Sequence, residues 1–129
     1  MSNELTVNRE GLVSLVGDKS LGEVIKPLKT EIHLFDTYVA GTTYLKDTSV
    51  LDEINAGDKL TLMREDNPYD YNAILILSNK KKLGYVPAKD NIVFARLMDA
   101  GKYLIAKIKK IERKGSYTQI KVGIYLVDF

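Results

Sequence analysis

His33 is the only histidine in the chain, and there is no cysteine. Thiolate nucleophiles, disulfides and cysteine metal sites are excluded with the cysteines. A zinc site built on two or more histidines is excluded as well. A Ser-His-Asp triad would have to run through His33 alone. Carboxylates come in pairs, Asp52 with Glu53 and Asp66 with Asp70. Each pair sits where turns form or helices are capped, and those roles account for them better than acid–base work does. No glycine-rich phosphate loop is present. An enzyme is therefore disfavoured, a nuclease included. No metal or cofactor is expected, and a non-catalytic binding domain is preferred.

Tyrosine and lysine offer a different chemistry. Eight tyrosines are present, and several flank basic positions. Tyr103, Lys107 and Lys109 share one face of an expected strand. Tyr117 and Lys121 lie on the strand that returns, and Lys80-Lys81-Lys82 makes a basic tip before Tyr85. Aromatic rings stack on bases while lysines meet phosphates, and small β-barrels hold single strands with this mixture. The competing reading has half-buried strand tyrosines and lysines that keep sheet edges soluble. On pattern alone the two stand level. Charge is also uneven. Residues 1–70 hold 7 Lys/Arg against 13 Asp/Glu, a net −6, and residues 71–129 hold 12 against 4, a net +8. Such a split suits an anionic partner for the second half, or two halves that neutralise each other on folding.

The elements that must position these residues are legible from periodicity. A chain of 129 residues, 45% hydrophobic and 28% charged, fits one globular domain with a short appendage. No apolar run reaches the roughly 18 to 20 residues of a membrane span, and MSNELTVNRE lacks the layout of a signal peptide. A cytoplasmic protein without membrane association is expected. Residues 1–30 carry helical spacing at Leu12, Leu15 and Val16, then at Leu21, Val24, Ile25 and Leu28, broken by Gly17, Gly22 and Pro27. They are read as a helical appendage or docking arm. Residues 31–129 form the main domain. A first strand runs through Ile32, Leu34 and 37–40, ending at Gly41. A helical turn within 47–56, a strand at 59–64 and a turn at 66–70 follow. Strands at 73–77 and 83–86 flank a hairpin turn at 78–81. One helix spans 91–100, with Ile92, Ala95, Leu97 and Met98 as its buried stripe and Gly101 as its stop. Strands at 103–111 and 118–127 close the chain around a Gly115-Ser116 turn, with Ile120, Val122, Ile124 and Leu126 on one face. The fold expected is mainly β with inserted helices, a small OB-like or SH3-like β-barrel.

The stretch Arg64-Glu65-Asp66-Asn67-Pro68-Tyr69-Asp70-Tyr71-Asn72-Ala73-Ile74 resembles the NPYD-x-NA-I signature of HIRAN domains. Upstream, Val39-Ala40-Gly41-Thr42-Thr43-Tyr44 is similar to the family's early V-x-G…Y segment. Downstream, Leu83-Gly84-Tyr85-Val86-Pro87 is similar to its G-H/Y-[VL]-P strand, and the helix with Ala95-Arg96-Leu97-Met98-Asp99-Ala100-Gly101 follows in order. The resemblance covers roughly 31–129. It implies an OB-like barrel that binds the 3′ end of single-stranded DNA, as HIRAN domains do in helicase-like fork-remodelling proteins, and so a place in DNA repair. By the same resemblance Tyr44 matches a base-stacking aromatic and Asp70 the carboxylate that reads the 3′-hydroxyl. Tyr85 matches a nucleotide-contacting position and Tyr117 a later stacking residue. Arg64, Leu45, Tyr69 and Lys82 complete the implied DNA-binding set. Leu45 stands where a second stacking aromatic is expected, and Thr43 where eukaryotic members carry a basic residue. A terminal hydroxyl donates a hydrogen bond that a carboxylate accepts with charge assistance, whereas a phosphodiester offers no donor and repels it. The partners implied are single-stranded DNA or DNA 3′ ends, and a DNA-processing protein. The alternative is a protein-interaction or regulatory module that keeps the fold without end recognition.

Overall fold

The structure, a computed structural model, describes residues 30–128. The helical turns expected in the first 29 residues lie outside the described residues. The strands are β1 (Thr30–Tyr38), β2 (Lys59–Arg64), β3 (Ile74–Ser78), β4 (Lys81–Tyr85), β5 (Tyr103–Lys114) and β6 (Tyr117–Asp128). A 3₁₀ turn (Thr42–Tyr44) and a short helix α1 (Val50–Glu53) separate β1 from β2. Helix α2 (Asn91–Asp99) separates β4 from β5.

One six-stranded sheet has the order β1-β6-β5-β2-β3-β4. The pairs β5–β6, β2–β5, β2–β3 and β3–β4 are antiparallel. Register shifts at Ile76/Leu77 and Ile108/Lys110 add local bend to the ordinary twist. The inner face buries Leu60, Ile74, Ile76, Leu83, Leu104, Ile108, Ile120 and Ile124 in one core. Curling brings the two ends of the sheet together just past β1. Val39 N donates to Ile120 O of β6 at 2.9 Å, and Ala40 exchanges both backbone hydrogen bonds with Tyr85 of β4, at 2.8 and 2.9 Å. That seam is a single bridge and not a ladder, so the OB-like sheet stays open. A side chain at Gly84 would overlap the Ala40 carbonyl oxygen and Val39 at this seam. Asn79 and Lys80 both take positive φ, the two-residue hairpin geometry that matches strand twist.

Ile32 and Leu34 of β1, an edge strand, are exposed. One expectation about faces is corrected. In α2 the buried face is Asn91, Phe94 and Ala95, with Met98 partly buried, which is the i, i+3, i+4, i+7 stripe. Ile92 is exposed and falls outside it. The charge asymmetry resolves into ion pairs between the halves. Glu31 pairs with Lys107, Asp36 with Lys109 at 2.8 Å, and Glu53 with Lys81 at 3.0 Å. Lys107 and Lys109, read from sequence as sharing a strand face with Tyr103, are thus held by acids of β1. Among the described residues no helix is long and apolar enough to cross a membrane.

Candidate nucleic-acid interface

Gly41, at φ 81°, turns the chain out of the seam and starts the 3₁₀ turn that carries Tyr44. Tyr44 N donates to Gly41 O at 3.1 Å, and buried Thr42 directs its hydroxyl to the Thr118 carbonyl of β6 at 3.5 Å. With its backbone fixed this way, Tyr44 stands 87% exposed. Leu45, the next residue, packs instead against the core. Tyr44, Leu45, Lys46, Asp47, Lys81 and Lys82 line a cleft of about 400 Å³. Lys82 Nζ lies 4.7 Å over the Tyr85 ring, a cation–π contact. Lys81 is committed to Glu53. Asp47 is held below the usual carboxylate range by the hydroxyl and amide of Ser49, and its Oδ1 accepts from that hydroxyl at 2.6 Å. Among the described residues, neither Lys46 nor Lys82 has an acidic partner.

Tyr85 joins this cleft to the turn between β2 and β3. Its hydroxyl donates to Glu65 Oε1 at 2.8 Å, and the same oxygen accepts from Asn67 Nδ2 at 3.2 Å. Asn67 Oδ1 accepts from Tyr69 N at 2.8 Å, an Asx turn that leaves Tyr69 95% exposed. The Asp70 carboxylate is held at both oxygens. Oδ1 accepts from Asn72 N and Oδ2 from Asn91 Nδ2, each at 2.9 Å. Asn91 is only 1% exposed, so the first residue of α2 anchors the turn from inside the protein. Arg64 clamps the other side, donating to Asp99 at 2.9 Å, Tyr71 O at 2.9 Å and Ala73 O at 2.7 Å. The guanidinium holds Asp99 below the usual carboxylate range. Arg96 lies over the Tyr71 ring and donates to Asn72 Oδ1 at 2.9 Å.

The residues singled out from sequence therefore fall into groups. Tyr44, Leu45 and Lys82 share the cleft, and Tyr85 borders it under Lys82. Tyr69 and Asp70 sit on the turn that Glu65 ties to Tyr85. Arg64 spends its donors on two carbonyls of that turn and on Asp99 of α2. Tyr117 opens β6 on the outer face, by alternation with Gln119 and Lys121, and does not line the Tyr44 cleft. Lys46, Glu65 and Asn91 were not anticipated. Lys46 was readable two residues after Tyr44. Nothing local marks Asn91 as more than a helix start, since its partner is 21 residues away. His33 is exposed on β1, within 2.6 Å of Asp36 and edge-on to Tyr125. Among the described residues no group of three or more His, Asp or Glu is placed to hold a metal ion.

A curled, partly open sheet with an aromatic and basic cleft at its seam defines an OB-like binding domain. The chain belongs to the HIRAN domain family, whose sequence profile matches residues 32–127. A Lactobacillus plantarum protein solved by a structural genomics consortium has the same fold. It shows a TM-score of 0.72 and 26% identity over 78% of this chain and 99% of that one. The HIRAN domain of human HLTF is similar in fold, with a TM-score of 0.60 and 18% identity over 75% of this chain and 78% of that one. No curated protein matches the sequence at a significant level.

Proposed function

We propose that this protein is a nucleic-acid-binding module that takes the 3′-hydroxyl end of single-stranded DNA and presents it to a DNA-processing partner. Family membership supports the nucleic-acid reading. The end preference rests on one observation, the fixed Asp70 carboxylate. A carboxylate has about four acceptor sites, and Asn72 and Asn91 use one on each oxygen. The remaining sites form a pre-oriented acceptor beside exposed Tyr69. A 3′-hydroxyl donates to it, and a 3′-phosphate is repelled. Tyr44 supplies a stacking face, and Lys82 and Lys46 supply charge for the adjacent phosphates.

The test compares labelled oligonucleotides ending in 3′-hydroxyl and in 3′-phosphate. A charged hydrogen bond contributes about 1.5–3 kcal/mol, which is a roughly 10- to 100-fold preference for the hydroxyl end. Asp70→Asn keeps the side-chain shape and removes the charge, so that preference should collapse in a protein that still melts cooperatively. An unchanged ratio would remove the end-reading role. Asp70→Ala is the poorer probe. It strips the buried Asn91 amide of its acceptor, an expected stability cost of about 1–3 kcal/mol. A second reading, a protein-interaction module, is favoured by Leu45, which packs on the core where a stacking aromatic is expected. A folded protein that binds neither oligonucleotide would support that reading.

A further inference from the structure

β5 pairs with β2 only over Ile105 to Lys107, while its ladder with β6 continues to Lys114↔Tyr117. The outer half of the β5–β6 ribbon therefore extends beyond the β2 ladder. The register shift after Ile108 puts Lys110 directly opposite Lys121, a like-charge pair on adjacent strands. Like charges so placed are destabilising. Among the described residues Glu112 alone offsets them, 3.4 Å from Lys110 and opposite Gln119. Lys114, near the tip, and Lys121 have no acidic partner among the described residues. This contrasts with Lys107 and Lys109 on the same strand, which β1 neutralises. Tyr38, exposed at the end of β1, completes a shallow hollow with Lys110, Glu112, Gln119 and Lys121.

We propose that this outer ribbon face is a second nucleic-acid contact. Lys110, Lys121 and Lys114 take the phosphates of the strand that leaves the end-binding cleft, and Tyr38 offers its ring to a base or sugar. The inference rests on the reading of the cleft given above. Continuity carries it. Thr118, whose carbonyl holds the Thr42 turn beneath Tyr44, is three residues from Lys121 on β6. At about 3.3 Å per residue that is a path of about 10 Å, short enough for one strand to reach both. The preferred ligand is then a 3′ end with several nucleotides behind it, not an isolated terminal nucleotide.

Fluorescence anisotropy with the full chain tests this, using 3′-hydroxyl oligothymidylates of three and twelve nucleotides at several salt concentrations. The double variant Lys110→Gln/Lys121→Gln should weaken the dodecanucleotide by about 3- to 10-fold at low salt. Its log–log salt slope should fall by about 1.4, at roughly 0.7 for each phosphate no longer neutralised, with trinucleotide affinity unchanged. Melting temperature should hold or rise, since a repulsive pair is removed. Tyr44→Ala should weaken both lengths. A double variant with wild-type dodecanucleotide affinity and slope, alongside a weakened Tyr44→Ala, overturns the ribbon contact and leaves the cleft standing. Equal weakening of both lengths in the double variant also overturns it. A wild-type protein that binds neither length overturns the cleft reading and this contact together.

Discussion

Tyr44 and Leu45 are neighbours with opposite fates, and the backbone decides which is which. The 3₁₀ turn aims Tyr44 at solvent and Leu45 at the core. Tyr44→Ala should therefore weaken oligonucleotide binding by about 1–3 kcal/mol with little change in melting temperature. Titration and calorimetry on the same sample check this. A matched fall in stability would make Tyr44 a packing residue. Turn chemistry is local, so the Asn67–Asp70 turn was legible from its residues, whereas Tyr44 and the role of Tyr85 entered only through the resemblance to HIRAN domains. The sequence could not say that Asp70 answers to Asn91 or that Glu65 ties Tyr85 to Asn67. Those partners meet only when β3, β4 and α2 are assembled. Arg64 illustrates the same limit. The resemblance placed it in the DNA-binding set, and its donors turn to Asp99 and two carbonyls.

Strand periodicity located all six strands, since alternating β-branched runs between turns leave few other options. In β1 the period-two run of Ile32 and Leu34 marks the strand but lies on an exposed edge, so alternation there does not report burial. Beyond its pairing with β6, that edge is strapped by charge across the sheet face. Asp36 and Glu31 of β1 reach over β6 to Lys109 and Lys107 of β5. Gly123 of β6 leaves the space. A Cβ there would lie 2.9 Å from Lys109 Cε and 3.2 Å from Asp36 Oδ1. Lys109 and His33 hold the Asp36 carboxyl below its ordinary range, and Lys107 and Lys59 do the same for Glu31. Groups with depressed folded pKa values contribute stability above their unfolded values, near about 4. That contribution is lost as pH falls through the lower folded values. Melting temperature should hold from neutral pH to about 4.5 and then decline. Asp36→Asn should start lower and decline less steeply. A melting temperature that rises on acidification would contradict the strap.

At the scale of the whole molecule, the halves of opposite charge interlock, so net +8 over residues 71–129 overstates the free cationic surface. Among the described residues, Lys46 and Lys82 at the cleft and Lys114 and Lys121 on the ribbon stay without acidic partners, as do Lys80 and Lys102 elsewhere, a distribution that a charge count cannot show. The seam at Ala40 and Tyr85 gives the molecule a further property. Every other junction between neighbouring strands is backed by a ladder, but here two hydrogen bonds join residues far apart in the chain. Such a closure opens at far lower cost than the sheet unfolds. Native-state hydrogen exchange should find the amides of Ala40 and Tyr85 exchanging through local opening. Those of Ala106 and Ile124, in the β5–β6 ladder, should wait for global unfolding. Equal protection at both places would refute this. The seam holds the turn that carries Tyr44 against β4, which carries Lys81, Lys82 and Tyr85, so opening it pulls the cleft apart. A strand end that needs the cleft intact should then slow exchange at Ala40 and Tyr85 selectively, with a protection that grows with ligand concentration as RT ln(1 + [L]/Kd). The protein's exchange clock thus doubles as a gauge of site occupancy.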